Sequence, residues 1–261
     1  AHPPEPNQYL AITTSSQTKG RGTSGRSWIG ERGNTFLTIA IPANNLKIPL
    51  TLLPLQIGSI LATRIHELVC SNARSRSKGI VQRQKDDDDD DDHSRVSVTV
   101  KWPNDVLVNE KKIAGVLIES ESDHKGNPYF LIGIGANYKH APRVETEGSQ
   151  RGREATCVCD HVDCNNRDND DNDDGVEKAM ELGRNVANDV KNWIELQMAW
   201  EGAADSVLTQ WERWANFGDK LIMRDEPGNV YVTPIGLEKD GRLRVIGQDG
   251  KEKLLCADYL L

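Results

Sequence analysis

A glycine- and arginine-rich segment near the start of the chain has the residue types of an anion-binding loop. Residues 17–28 read QTKGRGTSGRSW, with three glycines in six positions. Glycines allow a ligand to approach the backbone closely, because they have no Cβ. Arg21 and Arg26 carry permanent, forked charge suited to phosphate or carboxylate, and Trp28 could cover an apolar ligand. The segment lacks the Gly-Lys-Ser/Thr of a P-loop, and a basic surface loop is the alternative interpretation.

Two short motifs downstream combine an amide, a carboxylate and a lysine. Asn104 and Asp105 end the motif KWPND, and a carboxylate is a hard oxygen ligand that can hold magnesium beside a nucleotide phosphate. Lys112 opens the motif KIAG, where an ammonium can bind a carboxylate and stabilise charge on phosphorus. Gly115 closes that motif and would let a flat ligand lie against the backbone. An ordinary Asn-Asp turn and a solvated lysine are the alternatives.

A third motif, GIGAN at residues 133–137, ends a β-rich stretch with glycines and an amide. The side chain of Asn137 offers both donors and acceptors, which suits a contact with adenine or ribose. Alone, this pattern is weakly specific, so its weight comes from the motifs that precede it.

The motifs occur in the order GRG…GR…W, KWPND, KIAG and GIGAN, and a small β-rich region follows them. In this order they resemble the catalytic core of the biotin–protein ligases, over about residues 9–138 and more weakly over 176–261. The resemblance implies an α+β fold, in which a mixed β-sheet with helices packed on one face precedes a small SH3-like β-barrel. It also implies an ATP-dependent, AMP-forming ligase. Such an enzyme makes biotinyl-AMP with Mg²⁺ and transfers biotin to a lysine of a carboxylase's biotin-carrier domain.

The resemblance also implies a role for each matching residue. Lys112 and Arg21 would be catalytic, and Asp105 would be the magnesium ligand. The biotin-binding residues would be Gln17, Gly20, Arg21, Gly22, Trp28, Lys112 and Gly115, with Trp28 closing over the ligand. The ATP-binding residues would be Arg26, Asn104, Asp105 and Asn137.

Two departures from the family pattern bear on these expectations. The family has a second arginine two residues after the first, where this chain has Thr23. Weaker retention of the acyl-adenylate, or compensation by Arg26, is the expected consequence. The family's Asp-Ser-Thr-Asn-like segment before the first motif is not found here. A lipoate–protein ligase and a non-catalytic, ligase-like binding module are therefore kept as alternatives. No helix-turn-helix precedes the core, so no DNA partner is expected.

Hydrophobic patterning predicts the elements that carry these motifs. Period-two stretches predict strands at 8–14, 35–42, 96–100, 106–108, 113–118 and 129–134. Apolar stripes predict helices at 51–69, 177–200 and 203–217, with apolar faces that include Trp193, Leu196, Trp200, Trp211 and Trp214.

The remaining stretches predict loops and a domain boundary. Residues 15–34 are expected to form a loop, and 71–94 and 139–175 to form disordered acidic insertions. Residues 1–216 are assigned to the catalytic domain. Residues 217–261 are assigned to a C-terminal domain, because Asp240-Gly241 and Asp249-Gly250 are strong hairpin signals between apolar runs.

Charge and cysteine content narrow the class of protein. Aspartates at 86–92 and 168–174 carry more than the whole net charge of −8, so the rest of the chain is mildly basic. The five cysteines, an odd number, favour free thiols in a reducing compartment. We expect the cytoplasm, with an organelle as the alternative, and no membrane span, since no apolar run approaches ~18 residues. A zinc site at Cys157, Cys159, His161 and Cys164 is the alternative to loop thiols.

Overall fold

The structure is a computed structural model, and it describes residues 9–77, 96–143, 153–162, 174–217, 221–223 and 230–257. The aspartate run at 86–92 and all but the last residue of the run at 168–174 lie outside the described residues. The strands are β1 (Leu10–Thr14), β2 (Gln17–Arg21), β3 (Ser27–Gly30), β4 (Thr35–Pro42), β5 (Val98–Lys101), β6 (Asp105–Val108), β7 (Lys111–Ser122), β8 (Pro128–Ala136), β9 (Leu221–Met223), β10 (Val230–Leu237), β11 (Leu243–Gly247) and β12 (Glu252–Leu255). The α-helices are α1 (Leu53–Ser77), α2 (Asp174–Met198) and α3 (Ala203–Glu212).

Six strands form the main sheet, in the order β1-β4-β8-β7-β6-β5. Every pairing between these strands is antiparallel, so the expected mixed sheet is wrong. The reason is connectivity, because β5 to β8 follow one another through short turns and parallel neighbours would need long crossovers. Parallel pairing among the described residues is limited to two isolated bridges, Val100 with Ala215 and Lys112 with Ala155.

The main sheet buries one face under helices, as predicted. Strand alternation sends Val116 and Ile118 of β7, and Ile132 and Ile134 of β8, into the same core cluster. Helix α1 packs over β5 to β7, while α2 packs over β1 and β4. The alternate positions on β7 and β8 therefore point to the opposite face, which is left for a ligand.

The helices confirm the predicted stripes, but their ends and two exposed residues need correction. Helix α3 ends at Glu212, so the predicted helix at 203–217 is too long and Trp214 lies beyond it. Helix α1 continues to Ser77, so residues 71–77 belong to a helix and not to an insertion. Trp211 is buried as expected, but Leu196 is 59% exposed and Trp200 is 50% exposed. The last buried apolar residue of α2 is Ile194, and Leu196, two positions later, lies about 200° further around the helix.

Residues 15–34 contain a hairpin, so the predicted loop is wrong. Strands β2 and β3 pair antiparallel, with Gly20 opposite Trp28 and Arg21 opposite Ser27. Their turn closes through a hydrogen bond of 2.7 Å from the Gly22 N–H to the Arg26 carbonyl. The hydrophobic pattern of residues 15–34 does not predict this pairing, because most of their side chains are polar or, at glycine, absent.

Part of the predicted insertion at 139–175 is packed into the core. The Lys112 N–H donates to the Glu154 carbonyl at 2.7 Å, and the Thr156 N–H donates to the Lys112 carbonyl at 2.9 Å. Cys157 and Cys159 are buried, which contradicts the expected loop thiols. The Cys157 Sγ donates to the Lys139 carbonyl at 3.3 Å, whereas Cys159 is disulfide-bonded, so the expectation of free thiols throughout is wrong.

The C-terminal strands form a second, antiparallel sheet in the order β12-β11-β10-β9. Both predicted hairpin turns are present, and Gly241 and Gly250 have φ of +84° and +72°. This sheet packs on the main domain, since Val232, Leu243 and Val245 belong to the same core cluster as the helices. Among the described residues, no helix is both long and apolar enough to cross a membrane.

Candidate active site

A cavity of about 990 Å³ lies on the face of the main sheet opposite the helices. Its walls come from the β2–β3 hairpin, the turn before β6, the strands β7 and β8, and the segment around Arg153. Nine of the residues that the sequence singled out line this one cavity: Gln17, Arg21, Gly22, Arg26, Trp28, Asn104, Lys112, Gly115 and Asn137. Gly20 and Asp105 are not among the lining residues.

The floor of the cavity is made by glycines on two adjacent strands. Gly115 of β7 pairs directly with Gly135 of β8, and Leu117 pairs with Gly133. The indole of Trp28 lies flat against the glycine pair. A Cβ built on Gly135 would be 2.5 Å from the Trp28 Cε2, and one on Gly115 would be 3.2 Å from the Trp28 Cζ3. Only residues without side chains leave room for a flat ring here.

Lys112 stands at the edge of this floor and is held by a carboxylate. Its Nζ lies 2.6 Å from the Asp105 Oδ1 and 5.3 Å from the centroid of the Trp28 ring. The two-residue turn at Asn109 and Glu110, both with positive φ, brings β6 back alongside β7. Asp105 therefore reaches the site through Lys112, although it does not line the cavity itself.

Two asparagines join the motifs to the sheet. The Asn104 Nδ2 donates to the Val116 carbonyl at 2.7 Å, which fixes the turn within KWPND against β7. The Asn137 Nδ2 donates to the Thr156 carbonyl at 3.0 Å. The Asn137 Oδ1 and the Trp28 Nε1 are buried and have no hydrogen-bond partner in the described structure. Buried polar atoms of this kind usually find a partner, so both are candidates for contact with a ligand.

Asn34 clamps the end of β8 and thereby sets the position of Asn137. Its Oδ1 accepts hydrogen bonds from the backbone N–H groups of Tyr138, Lys139 and His140, at 3.0, 3.1 and 3.0 Å.

Burial is the main cause that raises the pKa of the Tyr138 phenol, and nearby acidic side chains raise it further. The raised pKa keeps the phenol neutral in the core.

The two hairpin arginines differ in their partners. The Arg21 Nη2 lies 2.8 Å from the Glu119 Oε2. The Arg26 guanidinium instead donates to Thr23, to the carbonyl at 3.1 Å and to the hydroxyl at 2.7 Å. Gly20 sits behind them in β2, where a Cβ would collide with the backbone carbonyl of Trp28. Its role in the geometry is to let the hairpin close.

Several lining residues were missed by the sequence analysis: Lys19, Glu119, Arg143, Arg153 and Ala155. Glu119 could have been found, because strand alternation from Gly115 through Leu117 places it on the same face. Arg143 and Arg153 had no such signal, since they flank a stretch with neither periodicity nor a motif.

Positive charge dominates the cavity. Six cationic side chains line it: Lys19, Arg21, Arg26, Lys112, Arg143 and Arg153. Glu119 and Asp105 pair with two of these, so a net positive field remains for an anionic ligand. Within the described residues, no three His, Cys, Asp or Glu side chains are grouped as a metal site. Because Cys159 is disulfide-bonded, it is not available as the zinc ligand considered above.

Comparison with known proteins agrees with the geometry. The sequence profile of the biotin/lipoate A/B protein ligase family matches residues 3–137. A biotin–[acetyl-CoA-carboxylase] ligase from Paracoccus denitrificans is 31% identical over 131 residues, which is 50% of this chain and 45% of that protein. The chain thus spans less than half the length of this relative.

Two solved structures share the fold. A biotin protein ligase from Leishmania major, in complex with biotinyl-5-AMP, superposes with a TM-score of 0.54 and 27% identity, covering 96% of this chain and 89% of that chain. The ligase from Aquifex aeolicus, in complex with biotin and ATP, gives a TM-score of 0.57 at 20% identity, covering 95% and 86%. The glycine floor, the converging cations and the matched profile lead to one conclusion: the chain belongs to the biotin/lipoate A/B protein ligase family.

Proposed function

We propose that this cavity joins biotin to ATP as biotinyl-AMP, and that biotin then passes to a lysine of a carboxylase's biotin-carrier domain. The observation that carries the proposal is the convergence of cations and amides from four separate motifs on a cavity with a glycine floor. The floor suits a flat ring, and the cations suit a carboxylate and phosphates. The names of the relatives, which are biotin ligases, support biotin over lipoate.

In the first step, a carboxylate oxygen of biotin attacks the α-phosphorus of ATP. The bond from that phosphorus to the bridging oxygen breaks, and pyrophosphate leaves with the electron pair. Lys112, Arg21 and Arg26 stabilise the charge that builds on the phosphoryl oxygens, mainly by electrostatics and positioning. The ion pair with Asp105 keeps the Lys112 Nζ beside the floor, where the carboxylate would lie.

In the second step, the ε-amine of the acceptor lysine attacks the acyl carbonyl of biotinyl-AMP. The bond between the carbonyl carbon and the phosphate oxygen breaks, AMP leaves, and the nitrogen releases its proton to solvent. Because the mixed anhydride already has a good leaving group, no side chain of this chain forms a covalent intermediate. Asn137 and Asn104 would hold the nucleotide during both steps.

The donor set fits a magnesium ion that is bound together with a nucleotide. Mg²⁺ usually takes one or two protein carboxylates and fills its other positions with phosphates and water. Asp105, which follows Asn104 and whose carboxylate pairs with the cavity-lining Lys112, would supply that one protein ligand. The ion would neutralise phosphate charge.

The division of the chain is part of the same proposal. Residues 1–216 would form the catalytic domain, and residues 217–261 an SH3-like domain. The antiparallel order of β9 to β12 supports this assignment, as does the packing of their apolar face on the main domain.

The direct test is Lys112→Ala in an exchange assay, with Lys111→Ala as the matched control. We expect Lys112→Ala to slow biotin-dependent ATP–pyrophosphate exchange by about 100- to 1000-fold, since one transition-state donor is lost. Lys111 pairs with Glu154 on the surface, where such pairs contribute little. The Lys111→Ala variant should therefore exchange at the wild-type rate. Equal rates for both variants would remove Lys112 from the mechanism.

A further inference from the structure

The cations of the cavity differ in what holds them. Arg21 and Lys112 are each fixed by a carboxylate, Glu119 at 2.8 Å and Asp105 at 2.6 Å, and each pair is close to neutral. Arg26 is fixed only by uncharged oxygens, and it has no carboxylate partner within the described residues. It therefore keeps its full charge for a ligand while its orientation is set.

Thr23 supplies both of the oxygens that hold Arg26. The Arg26 Nε donates to the Thr23 carbonyl at 3.1 Å, and the Nη2 donates to the Thr23 hydroxyl at 2.7 Å. A guanidinium has five N–H groups, so three are left for an anion. The turn is closed by its own backbone, because the Gly22 N–H donates to the Arg26 carbonyl and the Arg26 N–H to the Thr23 carbonyl.

The backbone bonds alone do not orient the guanidinium. Arg26 is exposed, and a long exposed side chain samples many rotamers unless its end is held. The hydroxyl of Thr23 is the side-chain contact that selects one of them. Both residues line the cavity, so the selected rotamer keeps the charge at the ligand.

We propose that Thr23 is a positioning residue, which holds the Arg26 guanidinium against the phosphate of the bound acyl-adenylate. The inference rests on the proposed function and deepens it, because it assigns retention of the intermediate to one hydroxyl. Removing that hydroxyl leaves the guanidinium held by one bond, from its Nε to the Thr23 carbonyl, so that it turns away from the cavity more often. The intermediate then loses its contact with the unneutralised charge of Arg26 and escapes faster.

The test compares Thr23→Val with Thr23→Ser. Valine has the same shape but no hydroxyl, whereas serine keeps it. The enzyme is loaded with biotin and Mg-ATP, and release of biotinyl-AMP is followed after rapid removal of free ligands. We expect Thr23→Val to speed release about tenfold, because it loses one hydrogen bond to a charged group. Thr23→Ser should release biotinyl-AMP as slowly as the wild type. Thr209→Val, which removes a similar hydroxyl on the surface of α3, should release at the wild-type rate.

A double mutant separates positioning from a merely structural effect. If Thr23 acts through Arg26, Thr23→Val should add nothing to the faster release caused by Arg26→Ala. Additive effects of the two substitutions, or wild-type release by Thr23→Val, would overturn the inference and leave the proposed function standing. A wild-type chain that forms no biotinyl-AMP would overturn both.

Discussion

Single residues decide what fits on the floor of the cavity. Trp28 covers Gly115 and Gly135 and so occupies part of the floor on which a flat ring would lie. Its Nε1 is buried and has no hydrogen-bond partner among the described residues, so a bound ligand could supply the missing acceptor. We therefore expect the indole to shift when a ring binds, and the glycine pair to be intolerant of any added side chain.

Gly135→Ala tests the floor. The new methyl group would meet the Trp28 indole at 2.5 Å, too close for the two groups to coexist. Overpacking of this kind typically costs about 1–3 kcal/mol, so the Kd for biotin should rise about tenfold when measured by isothermal titration. Gly58→Ala in α1 is the control, because its nearest neighbour would be 4.0 Å away. An unchanged Kd in Gly135→Ala would show that the ring binds elsewhere.

The sequence predicted most of these residues, for a physical reason. The residue types of Arg21, Lys112 and Asn137 indicate that they bind a ligand. The order of the motifs predicts that these residues share one site. Arg143 and Arg153 were missed because an arginine outside any motif resembles an ordinary solvated surface residue. Their place in the cavity depends on tertiary contacts, such as the bridge between Lys112 and Ala155, which local patterning does not encode.

Among the secondary-structure elements, the periodicity of apolar residues predicted the strands and helices that form the core. In β5, the buried Val98 and Val100 alternate with the half-buried Thr99 and Lys101, as the sequence pattern predicts. The hairpin at 17–30 was missed because its stability comes from backbone pairing over the site, with few buried side chains. The buried segment at 155–159 was missed because its flanking residues are polar.

Two positions on helix α2 test which of its faces packs into the core. Ile194 is completely buried in the core, whereas Leu196, which the pattern wrongly placed on a buried face, is 59% exposed. Ile194→Ala should lower the free energy of unfolding by about 2–5 kcal/mol through lost burial and a cavity. Leu196→Ala should change it by less than about 0.5 kcal/mol. Urea denaturation of both variants measures the difference, and equal effects would contradict the packing described for α2.

At the scale of the whole molecule, the second sheet is attached beside the catalytic motifs. The Trp102 Nε1, within KWPND, donates to the Gly241 carbonyl at 3.0 Å, and the Thr51 hydroxyl donates to the Asp240 carbonyl at 2.5 Å. The hairpin turn between β10 and β11 therefore rests directly on the turn that carries Asn104 and Asp105. A carrier domain that contacts the second sheet would thus stand close to the cavity.

The most direct measurement is the identity of the adenylate that the chain makes. The purified chain is incubated with Mg-ATP and equal concentrations of biotin and lipoate, and the products are resolved by mass spectrometry. We expect biotinyl-AMP and pyrophosphate, formed only when the cavity cations are intact, with lipoyl-AMP a minor product. Lipoyl-AMP as the main product, or no adenylate from either acid, would contradict it.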